Sequence, residues 1–493
     1  MKAKYHVAIV GAGICGLSTA ETLAGSGLDI LIIDENVHLG GQLLRKPAGS
    51  PNQFSRWEPD GMKLKGFDLV DRLLAPSRSV DIVTQAQVLG IFNDTRLLIH
   101  TKEERLVETT AEQILLATGA RERFLPFPGW TLPGVMSLGA AQILMKSHGI
   151  LPGHRTAIAG TSPLMTAIGS QILKNRGAIS GFFEDNPFCK KLTFIPLIPH
   201  HRRKLIEGLF YMARLMINRI PMFHSRRIIE ARGEPDLISF VAVKTDVRGR
   251  PIPGTEKEYQ SDALAVGYGF VPNIELAVQA GCDVEYRPDK GGWVVSTLSR
   301  DLETSKQSIY AAGEVTGIAG SQKSHIQGRI AGYAMLKARE KLNVKTDTRL
   351  SKQLSRLYSL NDRQTGYATF LNELCRVSPA AYSRIPDQTL ICRCENITMG
   401  TIKAAVQNGF HTVGSIKKAT RSGMGRCQGR TCTPIIQEIL TALIQKDPKS
   451  FPAPSSRAPV KPVSVRSFLA VRSFLDRSTE GESTPTRHKK ERQ

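Results

Sequence analysis

Acidic residues are scarce in this chain. Its 66 lysines and arginines face only 44 aspartates and glutamates, which gives a formal net charge of +22 over 493 residues. Such an excess favours acidic partners, anionic membrane surfaces or nucleic acid. Aromatic residues make up only 6% of the chain, and they do not alternate with basic residues in the stripe that base stacking requires. We therefore predict no nucleic-acid partner.

Long apolar runs are also missing. No stretch approaches the roughly 20 apolar residues of a transmembrane helix, and the apolar run near the N-terminus continues into a glycine turn, which indicates a strand. The basic stretch from Lys190 to Ile220 suits a membrane surface, but its apolar residues Leu205, Leu209, Met212 and Leu215 at helical spacing favour core packing. We expect a cytoplasmic protein, with at most peripheral association at the inner membrane.

Several catalytic motifs are absent. The sequence has no Ser-His-Asp set, no histidine-rich metal motif, no paired carboxylates and no Cys-x-x-Cys beside its nucleotide motifs, so a disulfide relay is excluded. Its eight cysteines do not form a disulfide framework, because four are isolated along the chain: Cys15, Cys189, Cys282 and Cys375. A reducing compartment fits this pattern.

A dinucleotide-binding fingerprint opens the chain. An apolar strand, a glycine turn, a helix and a second buried strand follow in order, and the glycines are Gly11, Gly13 and Gly16. The glycines let the backbone approach a pyrophosphate at the positive end of the helix. An acidic residue about twenty positions later binds a ribose hydroxyl. The spacing permits Asp34 or Glu35, and we favour Glu35.

Three further segments resemble the two-dinucleotide-domain flavoproteins of the glutathione-reductase-like superfamily. They comprise Gly40, Gly41 and Gln42, then Ala117, Thr118 and Gly119, and finally Gly313 with Glu314. In that superfamily the glycine pair passes under the flavin, and the last motif contacts the ribityl chain. The resemblance implies FAD and an α/β fold with two Rossmann-like domains.

The second nucleotide motif departs from the consensus. Ser162 stands where a glycine would let the backbone approach a pyrophosphate, although Glu184 closes the second strand as an NAD site requires. We expect this unit to be retained for structure, with NAD(P) binding doubtful.

Four cysteines near the C-terminus form a metal motif. Cys392-x-Cys394 and Cys427-x4-Cys432 lie among glycines and arginines that suit an anionic thiolate cluster. Zinc usually takes cysteines two to four residues apart, whereas iron-sulfur clusters accept varied spacings. We predict a 2Fe-2S centre over zinc and over a disulfide pair. Residues 389–444 are similar to the small helical domain of bacterioferritin-associated ferredoxin.

No further catalytic group is identified apart from His325. It begins the helix that should face the flavin pyrimidine ring, where it either polarises the flavin or caps the helix.

These motifs divide the chain into five parts. They are an FAD domain at 1–123 and 288–345, a degenerate NAD(P)-like domain at 124–287, a helical linker at 346–386, a small helical 2Fe-2S domain at 387–446 and a flexible basic tail at 447–493.

The order of motifs resembles the larger subunit of opine oxidases and the matching subunits of hydrogen cyanide synthase and of D-hydroxyproline or proline dehydrogenases. The segments that carry this resemblance are ATGARERFLPFPGWTLPGVMS (117–137), VGYGFVPNIELA (266–277), AAGEVTGIAG (311–320), CRCENIT (392–398) and TRSGMGRCQGRTC (420–432). It implies a heteromer in which a smaller FAD subunit oxidises a C–N bond. The residues of this chain do not distinguish octopine, nopaline, glycine or a cyclic imino acid as the substrate, and we choose an opine of the octopine or nopaline type. This chain would pass the electrons on, with a respiratory-chain acceptor as the destination.

Two functions of other classes stay open. A self-sufficient NAD(P)H-dependent reductase would need a working second nucleotide site, which Ser162 opposes. A non-enzymatic redox sensor would still bind its partner protein after mutation of the flavin motifs.

Overall fold

The computed structural model describes residues 1–45, 61–74, 80–93, 95–339 and 348–469. Its strands are β1 (Lys4–Val10), β2 (Ile30–Ile33), β3 (Val80–Val83), β4 (Gln87–Phe92), β5 (Arg96–His100), β6 (Leu106–Leu116), β7 (Ala120–Glu122), β8 (Val135–Ser137), β9 (Arg155–Gly160), β10 (Ala178–Glu184), β11 (Met222–His224), β12 (Arg226–Gly233), β13 (Leu237–Lys244), β14 (Lys257–Gln260), β15 (Ala263–Gly267), β16 (Phe270–Pro272), β17 (Val284–Arg287), β18 (Gly292–Val295), β19 (Ile309–Ala311), β20 (Leu390–Cys392) and β21 (Ile397–Thr398). Its α-helices are α1 (Ile14–Leu23), α2 (Gly61–Leu73), α3 (Leu138–Ile143), α4 (Leu164–Lys174), α5 (Ile198–Ile217), α6 (Glu275–Gln279), α7 (Ser321–Ala338), α8 (Thr348–Cys375), α9 (Pro379–Ser383), α10 (Met399–Gln407), α11 (Val413–Thr420), α12 (Cys432–Ile444) and α13 (Val465–Leu469).

The first sheet has the order β3-β2-β1-β6-β5-β4, with β19 also paired to β6. The strands β1, β2, β6 and β19 run parallel, and their last residues lie in register. The last four residues of β1 (VAIV) and all four of β2 (ILII) are apolar and buried, as is typical of parallel strands covered on both faces. Because parallel strands end at the same edge, the residues that follow them meet there: Gly11, Asp34, Ala117 and, two positions past β19, Gly313.

A second parallel sheet has the order β11-β10-β9-β15-β8 and packs beside the antiparallel sheet β12-β13-β14. The α/β architecture with two Rossmann-like units is therefore confirmed.

The C-terminal helical domain shares a core with this second unit. Ile391, Ile435 and Ile439 belong to the same buried cluster as Phe127 and Trp130 of the β7–β8 connection. The Trp130 indole Nε1 also donates a hydrogen bond of 2.8 Å to the Leu390 carbonyl oxygen. The helical domain is thus packed on the body of the protein through apolar contacts.

Residues 447–469, called the C-terminal strap below, differ from the expected flexible tail. Phe451 is buried in the core shared with the helical domain, and Val460 is buried in the core of the first sheet. The Val460 amide donates to the Leu89 carbonyl oxygen at 2.8 Å, so the strap is fastened to β4. Proline and serine suggested disorder, but a few apolar anchors suffice to dock such a segment. Residues 470–493, with the second Val-Arg-Ser-Phe-Leu repeat, lie outside the described residues.

The strap should contribute measurably to stability. We expect Phe451→Ala to lower the free energy of unfolding by about 3 kcal/mol, because a buried phenyl ring is removed from a packed core. Phe468→Ala is the matched control, since Phe468 is 44% exposed whereas Phe451 is 5% exposed, and its effect should stay within about 0.5 kcal/mol. Urea denaturation followed by circular dichroism measures both. Equal effects of the two variants would contradict the docked strap.

Candidate functional site

The three glycines of the turn after β1 differ in the space around them, and only one of them has room for a side chain. A Cβ atom on Gly11 would stand 2.3 Å from the Ala117 carbonyl oxygen, and one on Gly16 would stand 2.0 Å from the Gly11 carbonyl oxygen. These two glycines allow close packing of the backbone. Gly13 differs, because a Cβ there meets no atom within 4 Å. The turn therefore leaves free space at Gly13, directly before the N-terminus of α1, as a bound pyrophosphate requires.

The acidic residue beside this turn is Asp34, and our preference for Glu35 is not supported. The buried Asp34 accepts a 2.6 Å hydrogen bond from the Ala12 amide and two of 2.8 Å from Asn36. The exposed Glu35 instead forms an ion pair with Lys461 of the C-terminal strap. Successive side chains after a strand point in opposite directions, so only one of two adjacent acids can face the turn.

Gly40 and Gly41 pack against the same turn. The Gly40 amide donates to the Ala12 carbonyl oxygen at 2.8 Å, and a Cβ on Gly41 would stand 3.0 Å from the Gly13 Cα. Both have positive φ, 101° and 57°, a conformation that glycine adopts without strain. Gln42 is exposed and its side-chain oxygen accepts a hydrogen bond from Arg45.

The Ala117-Thr118-Gly119 segment is tied to the loop after β16. The Thr118 hydroxyl donates to the Asn273 carbonyl oxygen at 2.7 Å, and the Asn273 side-chain amide donates back to the Thr118 carbonyl oxygen at 3.0 Å. Gly119 has φ 70°. The turn that leaves the first sheet is thereby held rigid.

Glu314 supports the loop before α7. Its carboxylate accepts hydrogen bonds from the amides of Gly320 at 2.6 Å and Ala319 at 3.3 Å. Burial raises the pKa of Glu314 above its usual value, although the hydrogen bonds from the two amides act to lower it. Gly313 lies against Cys15, where a Cβ would stand 3.0 Å from the cysteine Cβ. The two residues therefore position α7 against the glycine turn.

His325 does not cap α7, whose N-cap is Gly320. Its Nδ1 lies 2.7 Å from the Ser18 hydroxyl of α1, so it joins the two helices that flank the flavin motifs. The interpretation of His325 as a group that polarises the flavin stays a prediction.

The second nucleotide turn is covered by the chain itself. The amides of Thr161 and Ser162 both donate to the Gly267 carbonyl oxygen, at 2.9 and 3.2 Å. The Thr161 hydroxyl donates to the Cys375 carbonyl oxygen at the end of α8, at 3.1 Å. Glu184, the expected ribose acid, is buried and paired with Lys191 at 2.5 Å. The groups that would bind a second pyrophosphate and ribose already have partners within the chain.

We therefore expect NADH and NADPH to leave the flavin oxidised. Anaerobic addition of either should not bleach the flavin absorbance, whereas dithionite should. The variant Ser162→Gly should behave in the same way, because the end of α8 still covers the turn. Rapid bleaching of the unmodified chain by NADH would contradict this expectation.

The four C-terminal cysteines form two pairs. The side chain of Cys392 neighbours that of Cys432, and the side chain of Cys394 neighbours that of Cys427. A tetrahedral zinc site needs four convergent ligands, whereas a 2Fe-2S cluster takes four cysteines over two irons. The paired arrangement fits the cluster.

The backbone around these cysteines suits bound thiolates. Burial alone would raise the pKa of Cys427. Hydrogen bonds to its sulfur have the larger combined effect and lower the pKa; they come from the Cys394 thiol and from the amides of Gly429, Arg430 and Thr431. Burial raises the pKa of Cys432. A Cβ on Gly425 would stand 2.3 Å from the Cys394 Cβ, so only glycine allows this approach.

The arginines expected to offset the cluster charge have diverse partners. Arg393 lies over the Trp130 ring at 5.0 Å, and Arg421 donates to the Glu395 carboxylate at 3.1 Å. Arg430 donates to the Val460 carbonyl oxygen at 2.7 Å. Arg426 is exposed.

The cysteine loop lies directly against the flavin motif. Arg121 Nε, two residues after Gly119, donates a 2.9 Å hydrogen bond to the Arg430 carbonyl oxygen between Cys427 and Cys432. A cavity of about 70 Å³ lies beside this contact and is lined by residues of both domains. Arg121 was not among the predicted site residues, although it stands within the segment 117–137 that carries the family resemblance. The cysteine loop is thereby joined to the residues that directly follow the Ala117-Thr118-Gly119 segment.

Two family models match the chain. Residues 5–162 match the model described as pyridine nucleotide-disulphide oxidoreductase, and residues 390–442 match the BFD-like [2Fe-2S] binding domain. No helix among the described residues is both long and apolar enough to cross a membrane.

Curated relatives align over nearly the whole chain. The HcnB subunit of hydrogen cyanide synthase from Pseudomonas aeruginosa is 30% identical over 465 residues, which cover 93% of this chain and 97% of the relative. An opine oxidase subunit of Agrobacterium tumefaciens is 30% identical over 488 residues, which cover 93% of this chain and 90% of the relative. Among solved structures, L-proline dehydrogenase from P. horikoshii has a TM-score of 0.66 at 19% identity and covers 94% of this chain and 79% of its own. That likeness concerns the fold.

Proposed function

Because the chain belongs to the family that holds these opine oxidase and hydrogen cyanide synthase subunits, we propose that it serves a heteromeric enzyme that oxidises opines of the octopine or nopaline type. It is an oxidoreductase subunit with FAD and a 2Fe-2S cluster. The proposal concerns the substrate, the smaller flavoprotein partner and the direction of electron flow.

The proposed reaction is a dehydrogenation followed by hydrolysis. The C–N bond of the opine loses two electrons and two protons to become an imine, and water then cleaves the imine to an amino acid and a 2-oxo acid. We assign the C–N chemistry to a smaller FAD subunit, since no catalytic acid or base is identified among the motifs of this chain. FAD accepts electrons in pairs and releases them singly, and the 2Fe-2S cluster carries them one at a time.

The residues proposed to hold FAD lie along the strand ends of the first sheet. Gly13 leaves room for the pyrophosphate, Asp34 is the proposed ribose partner, and Gly40 and Gly41 bring the backbone against the turn. Glu314 fixes the loop before α7. Cys392, Cys394, Cys427 and Cys432 are the proposed iron ligands.

The contact between Arg121 and the Arg430 carbonyl oxygen is the single observation that carries the proposal. It places the cysteine loop beside the flavin motif, while the second nucleotide turn is covered by α8. Both features favour a unit that receives electrons from a partner subunit and passes them on to a respiratory-chain acceptor, a quinone or a cytochrome.

Spectroscopy of the complex tests this proposal. The chain should be co-expressed with a candidate smaller flavoprotein and titrated anaerobically with octopine, nopaline, glycine and proline analogues. We expect flavin bleaching and a reduced 2Fe-2S signal in electron paramagnetic resonance with an opine, and only in the complex. Reduction of the isolated chain by NADH would overturn the proposal.

Glycine is the second candidate substrate. The chain is equally similar to the hydrogen cyanide synthase relative and to the opine oxidase relative, at 30% identity in both cases. If glycine reduced the complex and the opines did not, glycine would be the substrate, and the proposed electron path would be unchanged.

A further inference from the structure

The segment 188–217 exposes a concentration of apolar side chains. Seven of the 20 large exposed hydrophobic residues in the described part of the chain lie within it, and each is more than half exposed. They are Phe188, Leu192, Ile195, Ile206, Leu209, Met216 and Ile217. Monomeric proteins seldom expose apolar side chains in such groups unless the surface binds something.

Four of these residues lie on one face of α5. With about 100° of rotation per residue, Ile206, Leu209, Ala213, Met216 and Ile217 fall within an arc of about 100°. We call this set the apolar stripe, and all five members are exposed.

The face of α5 opposite the stripe is packed. Leu215 is fully buried in the core of the second parallel sheet, and Tyr211 is also buried. The helical spacing predicted core packing for Leu205, Leu209, Met212 and Leu215. For Leu209 that prediction was wrong, because the core covers the Leu215 face of the helix and leaves Leu209 58% exposed.

Basic residues surround the stripe. The stretch 188–220 contains seven lysines and arginines but one acidic residue, Glu207, which pairs with Lys204. Arg202 and Arg203 stand at the N-terminal end of the stripe and Arg219 stands past its C-terminal end. All three are exposed and form no ion pair with a described residue. The charge around the stripe is therefore strongly positive and not neutralised locally.

We propose that the apolar stripe of α5 docks the enzyme on an anionic lipid surface. A helix that lies in a membrane interface needs an apolar face, and basic residues flanking that face attract acidic headgroups. The α5 segment supplies both, with its other face anchored to the second sheet. A protein partner would suit the apolar stripe equally, but the uncompensated arginines at both ends favour a surface with dense negative charge. The proposal is independent of which amine the enzyme oxidises.

Vesicle sedimentation with the full-length, FAD-loaded chain tests this surface. We expect binding to vesicles of phosphatidylcholine and phosphatidylglycerol in equal parts, little binding to phosphatidylcholine alone, and weaker binding as salt is raised. Leu209→Glu and Met216→Glu should each weaken binding about tenfold or more. The double variant Arg202→Gln/Arg203→Gln should weaken it by about fivefold for each charge removed.

Val247→Glu is the matched control, because Val247 is exposed on another part of the second unit. It should bind like the unmodified chain, and all variants should keep their FAD content and circular dichroism. In a separate readout, tryptophan placed by Leu209→Trp should shift its emission to the blue with anionic vesicles. The proposal would be overturned if the unmodified chain failed to bind anionic vesicles or if the stripe variants bound them equally well. It would also be overturned if the stripe variants still bound vesicles and lost only their binding to the partner subunit or to a second copy of this chain.

Discussion

Replacing Gly13 by valine should leave the protein folded but unable to retain FAD. A Cβ at Gly13 meets no protein atom within 4 Å, and the backbone there has φ −69°, which any residue adopts. The new side chain therefore disturbs no packing. It would instead project into the space where the pyrophosphate approaches the start of α1, so we expect FAD content to fall by about tenfold or more.

The measurement is the ratio of flavin absorbance to protein absorbance after purification, together with thermal unfolding of the FAD-free protein. Gly414→Val provides the matched control, because Gly414 also has open space around its missing side chain and lies far along the chain in α11. Gly16→Ala is expected to unfold the turn, since its Cβ would stand 2.0 Å from the Gly11 carbonyl oxygen. Full FAD content in Gly13→Val would refute the assignment of the pyrophosphate site.

Replacing Cys432 by serine should abolish the cluster while FAD stays bound. Cys432 is buried at the start of α12 and is paired with Cys392. A serine hydroxyl is a poor ligand for iron. Loss of a residue that only hydrogen-bonds to a metal ligand reduces metal affinity up to about 100-fold, so loss of the ligand itself should reduce cluster affinity by more than that. The FAD motifs lie on other elements, so they are unaffected.

Iron content, electron paramagnetic resonance and flavin absorbance measure this effect. The control is Cys189→Ser, because Cys189 is exposed and isolated from the other cysteines. In the complex with the smaller subunit, Cys432→Ser should still allow amine-dependent bleaching of flavin but no transfer to an external acceptor. A normal iron-sulfur signal in Cys432→Ser would exclude Cys432 as a ligand.

The sequence predicted the architecture and cofactors because their signals are local. Gly11, Gly13 and Gly16 stand at fixed offsets from strand and helix, and the cysteines of the cluster occur in two short pairs. The choice between Asp34 and Glu35 could not be made in this way. It depends on the direction in which a side chain leaves the strand end, and one residue of register reverses that direction.

Contacts between distant segments were beyond the sequence pattern. Arg121 and Arg430 are 309 residues apart, and the covering of the Thr161 turn by Cys375 joins positions 214 apart. Leu209 shows the complementary problem. Helical spacing identifies an apolar face, but only the packed structure tells which of two such faces meets the core.

The C-terminal strap changes how the iron-sulfur domain can work. A domain on a single linker can swing between donor and acceptor as a mobile carrier. Here α8 and α9 precede the domain, and the strap that follows it is fastened to the first sheet through Val460 and to Glu35 through Lys461. A domain held at both of its ends keeps a fixed distance from the flavin motif, so electron transfer between them should not depend on solvent viscosity.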